Sequence, residues 1–475
     1  MVARSASDKE TIPVVRKGPR GTGTPGARPP GPPMLPLIGT TRLFKRDQLA
    51  EIYGMVREHG DMLSYNIGPQ PIYLVSNPDD VGRVVLTENS KFMKGALTHE
   101  LSSFMGRGLV TSEGRFWRRQ RKIAAPSFTR RHIEKFADTM VACSIDTLAE
   151  IGDGPRDVHT DMMDLTLNIV LHTVFGDAEV PDTKAVAPMV GVTLEEFHRV
   201  YLTWRRLLPK AANRESMRKL ADSKAQLDEL FYGIIRQRRE DPAGYGDDLL
   251  GRLLSARDDD GTGMSDLQVR DEVATIFLAG HETTALALSF AMYLLADHPE
   301  IQAKVFDEVD GVLAGRRATM ADVAKLPYVE AVIKEAMRVY PPVYMFGREA
   351  LEDVEIAGWV VPRGAQVLTP VWAIHRDERW YDDPLTFRPE RWLDGLAERL
   401  PKYAYLPFGG GARVCVGNHF AMLEAILGLA TLMQGLELHP MPNFELDLMT
   451  SVTLRPRTGV QVRVRRRPQT AAAQP

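Results

Sequence analysis

Two stretches of this chain carry residue types and spacings that can do chemistry. The first is Phe408-Gly-Gly-Gly-Ala-Arg-Val-Cys-Val-Gly417, in which Cys415 lies two residues after Arg413 and two before Gly417. Its glycines allow a loop to bend sharply and to approach a flat ligand closely. A cysteine binds a transition metal as its thiolate, and a nearby cation with backbone N–H donors favours that charged form. Without such support, an isolated cysteine is usually buried and inert. The second stretch, Ala279-Gly-His-Glu-Thr-Thr284, places polar groups inside an apolar run. Glu282 and Thr283 follow Ala279 by three and four residues, which puts them on one helical face. Gly280 removes bulk there, and the Thr283 hydroxyl can compete for the Ala279 carbonyl and bend the helix. A carboxyl and a hydroxyl so placed either satisfy one another or pass protons.

Two further pairs are weaker signals. Trp117 and Arg121 stand at i and i+4, where an indole N–H and a guanidinium can together grip a carboxylate. Glu335 and Arg338 stand at i and i+3 among Val329, Val332, Ile333, Ala336 and Met337, which argues for burial. A buried ion pair demands further partners.

Together these stretches resemble the cytochromes P-450. Phe408, Gly411, Arg413, Cys415 and Gly417 match that family's haem-binding signature position for position, and Gly409 lies within it. By the resemblance, Cys415 is the axial thiolate of a b-type haem, the ligand that pushes electron density toward O–O cleavage. Residues 279–284 resemble the family's acid–alcohol pair, so Thr283 would orient dioxygen and Glu282 would supply the proton path, with Ala279 beside the haem. Trp117, Arg121 and Arg348 match positions that hold haem propionates. Phe387-Arg-Pro-Glu-Arg-Trp392 supplies Arg391 to a Glu335–Arg338–Arg391 network, which the resemblance makes structural. Leu101, Phe104 and Met105 would wall the substrate. Val273, Phe277, Ala279, Val343, Tyr344, Met345 and Val452 would line the rest of an apolar pocket.

These groups need elements to hold them. The sequence predicts a helix over 47–59, strands over 62–68 and 72–76, and a helix over 78–87 capped by Asn77. Residues 91–107 show no clear periodicity. Apolar spacing predicts helices over 136–152, 161–175 and 195–239, with an aromatic-rich helix–loop–helix between Val180 and Pro209 that the resemblance makes a mobile cover. Ser265-x-x-Gln268 reads as a capping box opening a helix to about Ala296, roughly 45 Å long. Thr319 caps a further segment, Pro327 starts a helix ending at Tyr340-Pro-Pro342, and 418–434 reads as another. Short strands are expected at 354–356, 359–361 and 366–372, with a hairpin over 448–454 whose tip is near Thr450–Val452. The arginine-rich 463–467 reads as a solvated end.

Composition sets the outer bounds. The 475 residues are 44% hydrophobic and 25% charged with a net charge of −3, ordinary for a soluble globular protein and without the basic excess of a nucleic-acid binder. Two cysteines, Cys143 and Cys415, cannot build a four-cysteine zinc site and indicate no disulfide framework, which fits a reducing cytoplasm. Residues 1–28 are rich in Gly, Pro, Arg and Lys and read as disordered, with no signal peptide or membrane anchor. The expected architecture is mainly α with a small β region, one haem domain over 29–467 and a tail at 468–475.

The activity implied by the resemblance is monooxygenation of an apolar substrate by O2: a fatty acid, terpenoid, steroid or natural-product intermediate, with macrolide or carrier-bound substrates also open. Electrons from NAD(P)H would arrive through a separate ferredoxin or flavodoxin and its reductase, steered to a monomer by Arg118, Arg119, Lys122, Arg130 and Arg131. A peroxide-using haem–thiolate enzyme would not need Glu282 and Thr283. A redox-neutral one commonly departs from that pair, and a haem-binding sensor or carrier would need no electron donor.

Overall fold

A computed structural model of the chain describes residues 27–40, 47–176, 181–203, 205, 210–242 and 245–468. The disorder expected of the first residues, the tail from 469, and Trp204 and Leu208 of the expected cover lie outside the described residues. The rest divides into two compact units, one within Met1–Leu97, Glu335–Cys415 and Glu445–Arg457, the other within Thr98–Lys334, Val416–Phe444 and Thr458–Pro475.

The first unit is organised on a five-stranded sheet, order β1-β2-β8-β5-β3, from β1 (Met62–Ile67), β2 (Gln70–Val75), β3 (Phe92–Lys94), β5 (Phe346–Ala350) and β8 (Gln366–Thr369). β1 and β2 form an antiparallel hairpin, while β2 runs parallel to β8 with Tyr73 opposite Val367. Val75, Val81, Val85, Val361, Val367 and Leu406 pack beneath it as a buried cluster. Helix α1 (Gln48–His59) buries Leu49, Ile52 and Met55, and the Asp47 carboxylate caps it at the Ala50 N–H. Two small hairpins complete the unit: β6 (Val354–Ile356) with β7 (Trp359–Val361), and β10 (Leu448–Thr450) with β11 (Leu454–Pro456). The strand expected over 366–372 stops at Thr369, because Pro370 lacks the N–H that would continue the ladder and a short helix starts at Val371.

Helices dominate the second unit: α2 (Ala96–Met105), α3 (Gly114–Ala124), α4 (Ala137–Glu150), α5 (Val158–Phe175), α6 (Thr183–Tyr201), α7 (Arg214–Glu240), α8 (Asp266–Asp297), α9 (Pro299–Leu313) and α11 (Asn418–Gly435). Helix α10 (Pro327–Val339) follows α9. The capping box at the start of α8 forms as expected, Ser265 and Gln268 each bonding the other's backbone N–H. α8 is apolar on nearly every face because it is the core: it packs along α5 and meets α7 and α11. Its Phe277, Leu286, Leu288 and Phe290 are fully buried, each contributing roughly 1.5–3 kcal/mol of transfer free energy. It is long and apolar enough to cross a membrane, and 78% of its most apolar window is buried.

Three expectations need correction. Residues 96–105 form helix α2 although the stretch lacks periodicity, since only Phe104 and Met105 of it are buried and a one-sided stripe is absent. The helix expected over 78–87 changes at Arg83 into a π turn. The expected solvated end is instead β12 (Gln461–Arg466), the central strand between β4 (Gly154–Asp157) and β9 (Leu436–Pro440). Val462 and Val464 face the core while Arg463 and Arg465 face water, an alternation that was there to be read.

Candidate active site

The cysteine loop is held by the first unit's own backbone. The Cys415 N–H donates to the Phe408 carbonyl at 3.0 Å and the Val414 N–H to that of Gly411 at 3.2 Å. Gly411 has φ +66°, and a Cβ there would fall 1.8 Å from the Val85 carbonyl oxygen, so only glycine permits this contact. Gly409 has nothing within 4 Å of where a Cβ would stand. The Cys415 thiol is exposed, whereas Cys143 is buried. Arg413 on the same loop is half-buried. Arg348, on β5, is buried and bonds the Gly347 carbonyl at 2.9 Å, its guanidinium 5.5 Å from the Phe346 ring centroid.

Behind the loop stands a fully satisfied ionic network. Glu335 accepts from Arg338 Nε and Nη2 at 2.9 and 2.8 Å, from Arg391 Nε at 2.9 Å, from Trp392 Nε1 at 2.9 Å and from the Arg388 N–H at 3.0 Å. Glu335 and Arg338 are both 0% exposed. The remaining Arg338 donors bond the carbonyls of His375, Pro384 and Thr386. The next link was not legible in sequence. His375, also fully buried, accepts the Leu406 N–H on Nε2 at 2.9 Å, and Leu406 in turn receives the Gly409 N–H at 3.1 Å. Burial, then the Arg338 and Arg376 charges, push His375 down to about 3, so it is a neutral acceptor.

In the second unit, Thr283 donates to the Ala279 carbonyl at 2.9 Å and Thr284 to that of Gly280 at 3.3 Å. The hydroxyl competition expected from the sequence is therefore present. Glu282 is buried and Thr283 half-buried on the same stretch of α8. Trp117 and Arg121 lie one turn apart on α3, both partly exposed. The basic surface around them is partly neutralised: Arg119 pairs with Asp258 at 2.7 Å, Lys122 with Asp259, and Arg130 with Glu134 at 3.1 Å. Arg118 and Arg131 are exposed and make no such pair among the described residues.

The expected pocket residues separate by face. Leu101 is half-buried and Phe104 buried on α2. Val343 and Met345 are half-buried on either side of buried Tyr344, whose hydroxyl donates to the Ser451 carbonyl at 3.1 Å, one residue before half-buried Val452. Tyr344 thus ties down the β10–β11 tip. Phe277 corrects the expectation. Two residues before Ala279 it lies about 200° around the helix, and its ring meets Phe231 of α7 edge-on at 5.5 Å and His281 at 5.9 Å. Val273, one turn earlier on that side, is also fully buried. Neither shares the face of Ala279 and Thr283.

Residues 29–463 match the family model described as Cytochrome P450. The chain belongs to the cytochrome P450 family. It is 34% identical to a cyclooctatin synthase of Streptomyces melanosporofaciens over 86% of this chain and 89% of that one. It is 32% identical to a cyclooctat-9-en-7-ol 5-monooxygenase of the same organism, over 89% and 93% of the two chains. A pentalenene oxygenase of Streptomyces avermitilis is 33% identical over 85% and 89%. The fold is accordingly the mainly α cytochrome P450 fold with small sheets, and the chain is an oxidoreductase of the P450 monooxygenase class that uses haem iron and O2. The residues present fit that group: an exposed thiol, Gly409 with open space where a Cβ would stand, and arginine cations within the same unit.

This P450 holds one more buried group that sequence reading missed. Glu424 on α11 is 0% exposed, and burial holds its carboxyl well above the usual range, the Thr284 hydroxyl offsetting this only in part. A glutamate inside an otherwise apolar helical run was the available signal.

Proposed function

We propose that this P450 is a haem–thiolate monooxygenase inserting one oxygen atom of O2 into a terpenoid, with Cys415 as the thiolate ligand. The observation that carries the reading is the exposed Cys415 thiol on a loop whose backbone is fixed at Phe408, Gly411 and Leu406. The haem, when bound, supplies the site at which O2 is reduced and one oxygen becomes reactive. Gly409, Gly411 and Gly417 would let the loop approach the haem closely, and Phe408 and Arg413, on the same loop, would help to hold it. Trp117, Arg121, Arg348 and Arg413 offer an indole N–H and guanidinium donors for the propionate carboxylates.

Proton delivery falls to α8. The Thr283 hydroxyl, already donating to Ala279, can accept a proton from the Glu282 side and pass one on by rotating about χ1. Leu101 and Phe104 in the second unit, and Val343, Met345 and Val452 in the first, are apolar side chains suited to a hydrocarbon skeleton. The names of the Streptomyces relatives favour a terpenoid over a fatty acid or steroid. Electrons come from NAD(P)H through a ferredoxin or flavodoxin and its reductase, meeting a monomeric, cytoplasmic enzyme at Arg118 and Arg131. The haem domain is read as residues 29–467, with Glu335, Arg338 and Arg391 structural.

Absorption spectra test the core of this reading. Dithionite-reduced protein under carbon monoxide should show a strongly red-shifted Soret band that Cys415→Ala abolishes. A protein that binds no haem, or a band indifferent to that substitution, overturns it.

A further inference from the structure

Three consecutive charged residues near the start of α8 are buried, and the chemistry above uses none of them. Arg270, Asp271 and Glu272 are 3%, 5% and 1% exposed. Each captures a different backbone group of the chain that leaves α2. Arg270 Nη2 donates to the Phe104 carbonyl at 3.3 Å, at the C-terminus of α2. The Asp271 carboxylate accepts the Arg107 N–H at 2.7 Å, and that of Glu272 accepts the Leu109 N–H at 3.0 Å. The intervening glycines are what allow the approach. A Cβ on Gly106 (φ +73°) would fall 2.0 Å from Asp271 Oδ1, and one on Gly108 would fall 2.0 Å from Thr275 Oγ1.

Arg270 does a second thing. It pairs with Asp228 on α7 and with its neighbour Asp271 at 3.0 Å. One guanidinium therefore binds the end of α2 and the side of α7 together. Segment 106–108 buries no apolar side chain of its own: Gly106 and Gly108 have none, and Arg107 is exposed with its guanidinium over the Phe116 ring at 4.5 Å. Hydrogen bonds in which one partner is a charged group are stronger than those between neutral groups. Their partners here are backbone groups, so the attachment fixes the main chain of the segment, which Gly106 and Gly108 let approach.

We propose that Arg270, Asp271 and Glu272 are positioning residues for substrate selection: a polar clamp that fixes the substrate-facing end of α2, Phe104 and Met105, on α8 and couples it to α7. The inference rests on the proposed monooxygenase reading for what α2 faces. Loosening the clamp lets the α2 end and its following loop open, so small ligands reach the haem faster and a substrate is held in more than one orientation. Haem loading is unaffected, since the clamp touches neither the cysteine loop nor its network.

The test uses the purified holoenzyme with Asp271→Asn and Glu272→Gln, singly and combined, and Arg270→Lys, which keeps the charge but cannot fork between Phe104 and Asp228. Hydrogen exchange of the 104–112 amides should accelerate roughly tenfold in the double variant. Association of 4-phenylimidazole, followed by its Soret shift, should rise roughly threefold or more, with the carbon monoxide band at wild-type intensity. Unchanged exchange in a variant that retains the band overturns the clamp. Faster exchange with unchanged 4-phenylimidazole association also overturns it, because a merely structural contact would give that result. If the double variant fails to fold, the milder Glu272→Gln carries both measurements. A wild type without the red-shifted band would refute the proposed function, while the exchange arm would still report on the clamp.

Discussion

Thr283 and Glu424 sit on facing helices of one unit and make opposite demands on a proton. Thr283 donates to the Ala279 carbonyl through a hydroxyl that can turn, so on the proposed reading Thr283→Ala removes a proton path at the cost of one half-buried methyl group. Thr283→Ala should keep the carbon monoxide band and lose about a hundredfold in product formed per electron consumed, measured as product against NAD(P)H oxidised. Glu424 is a different case. Its folded-state affinity for the proton is raised by burial, so the unfolded chain ionises first as pH rises. The stabilisation from the neutral form is complete below the unfolded carboxyl value and is lost as pH rises toward the folded one. Glu424→Gln, which stays neutral and keeps the shape, should therefore raise the melting temperature at pH 8 more than at pH 5. Equal shifts at both would show that the carboxyl is not held neutral.

Among the elements, the Glu335 network decides how firmly the cysteine loop is held. Removing one member leaves the others charged and buried, so Glu335→Ala should cost about 3–5 kcal/mol, read from urea midpoints. His375 carries the network's hold to Leu406 and adds a pH signature. Its proton affinity is lowered in the fold from 6.5 to about 3. The stability it confers is complete above pH 6.5 and is lost as pH falls toward 3, at about 1.4 kcal/mol per unit. Wild type should lose stability more steeply than His375→Gln across that window. Arg338 was legible as a partner of Glu335 from charged residues at i and i+3 in an apolar helix, whereas Arg391 was legible only through the family resemblance of residues 387–392, and Trp392 not at all. His375 was not, because nothing local distinguishes a buried acceptor from a solvated histidine. The same contrast runs through the fold. α8 announced itself by a capping box and an apolar run, whereas α2 is fixed by Arg270, Asp271 and Glu272 more than a hundred residues away. Phe277 misled because its apolar type was read without its angle around the helix.

For the molecule as a whole, charge is spent mostly on itself. Arg119, Lys122 and Arg130 are paired within the fold, while Arg118 and Arg131 are exposed and are the cations proposed to meet an electron donor. Arg118→Ala with Arg131→Ala should slow reduction by a ferredoxin and flatten its dependence on ionic strength, with the carbon monoxide band unchanged. A salt profile identical to wild type would move the docking site elsewhere.

The seat of Gly411 on the Val85 carbonyl has a consequence in time as well as in space. The loop that presents Cys415 leans on a strip of chain more than three hundred residues before it, so the strip is synthesised well ahead of the loop. Chains grow at about 5–20 residues per second, so the early strip waits many seconds for its counterpart. On the proposed reading, haem capture through Cys415 follows the synthesis of this loop, and until β5 and β8 emerge the β1–β2 hairpin lacks its neighbours in the sheet.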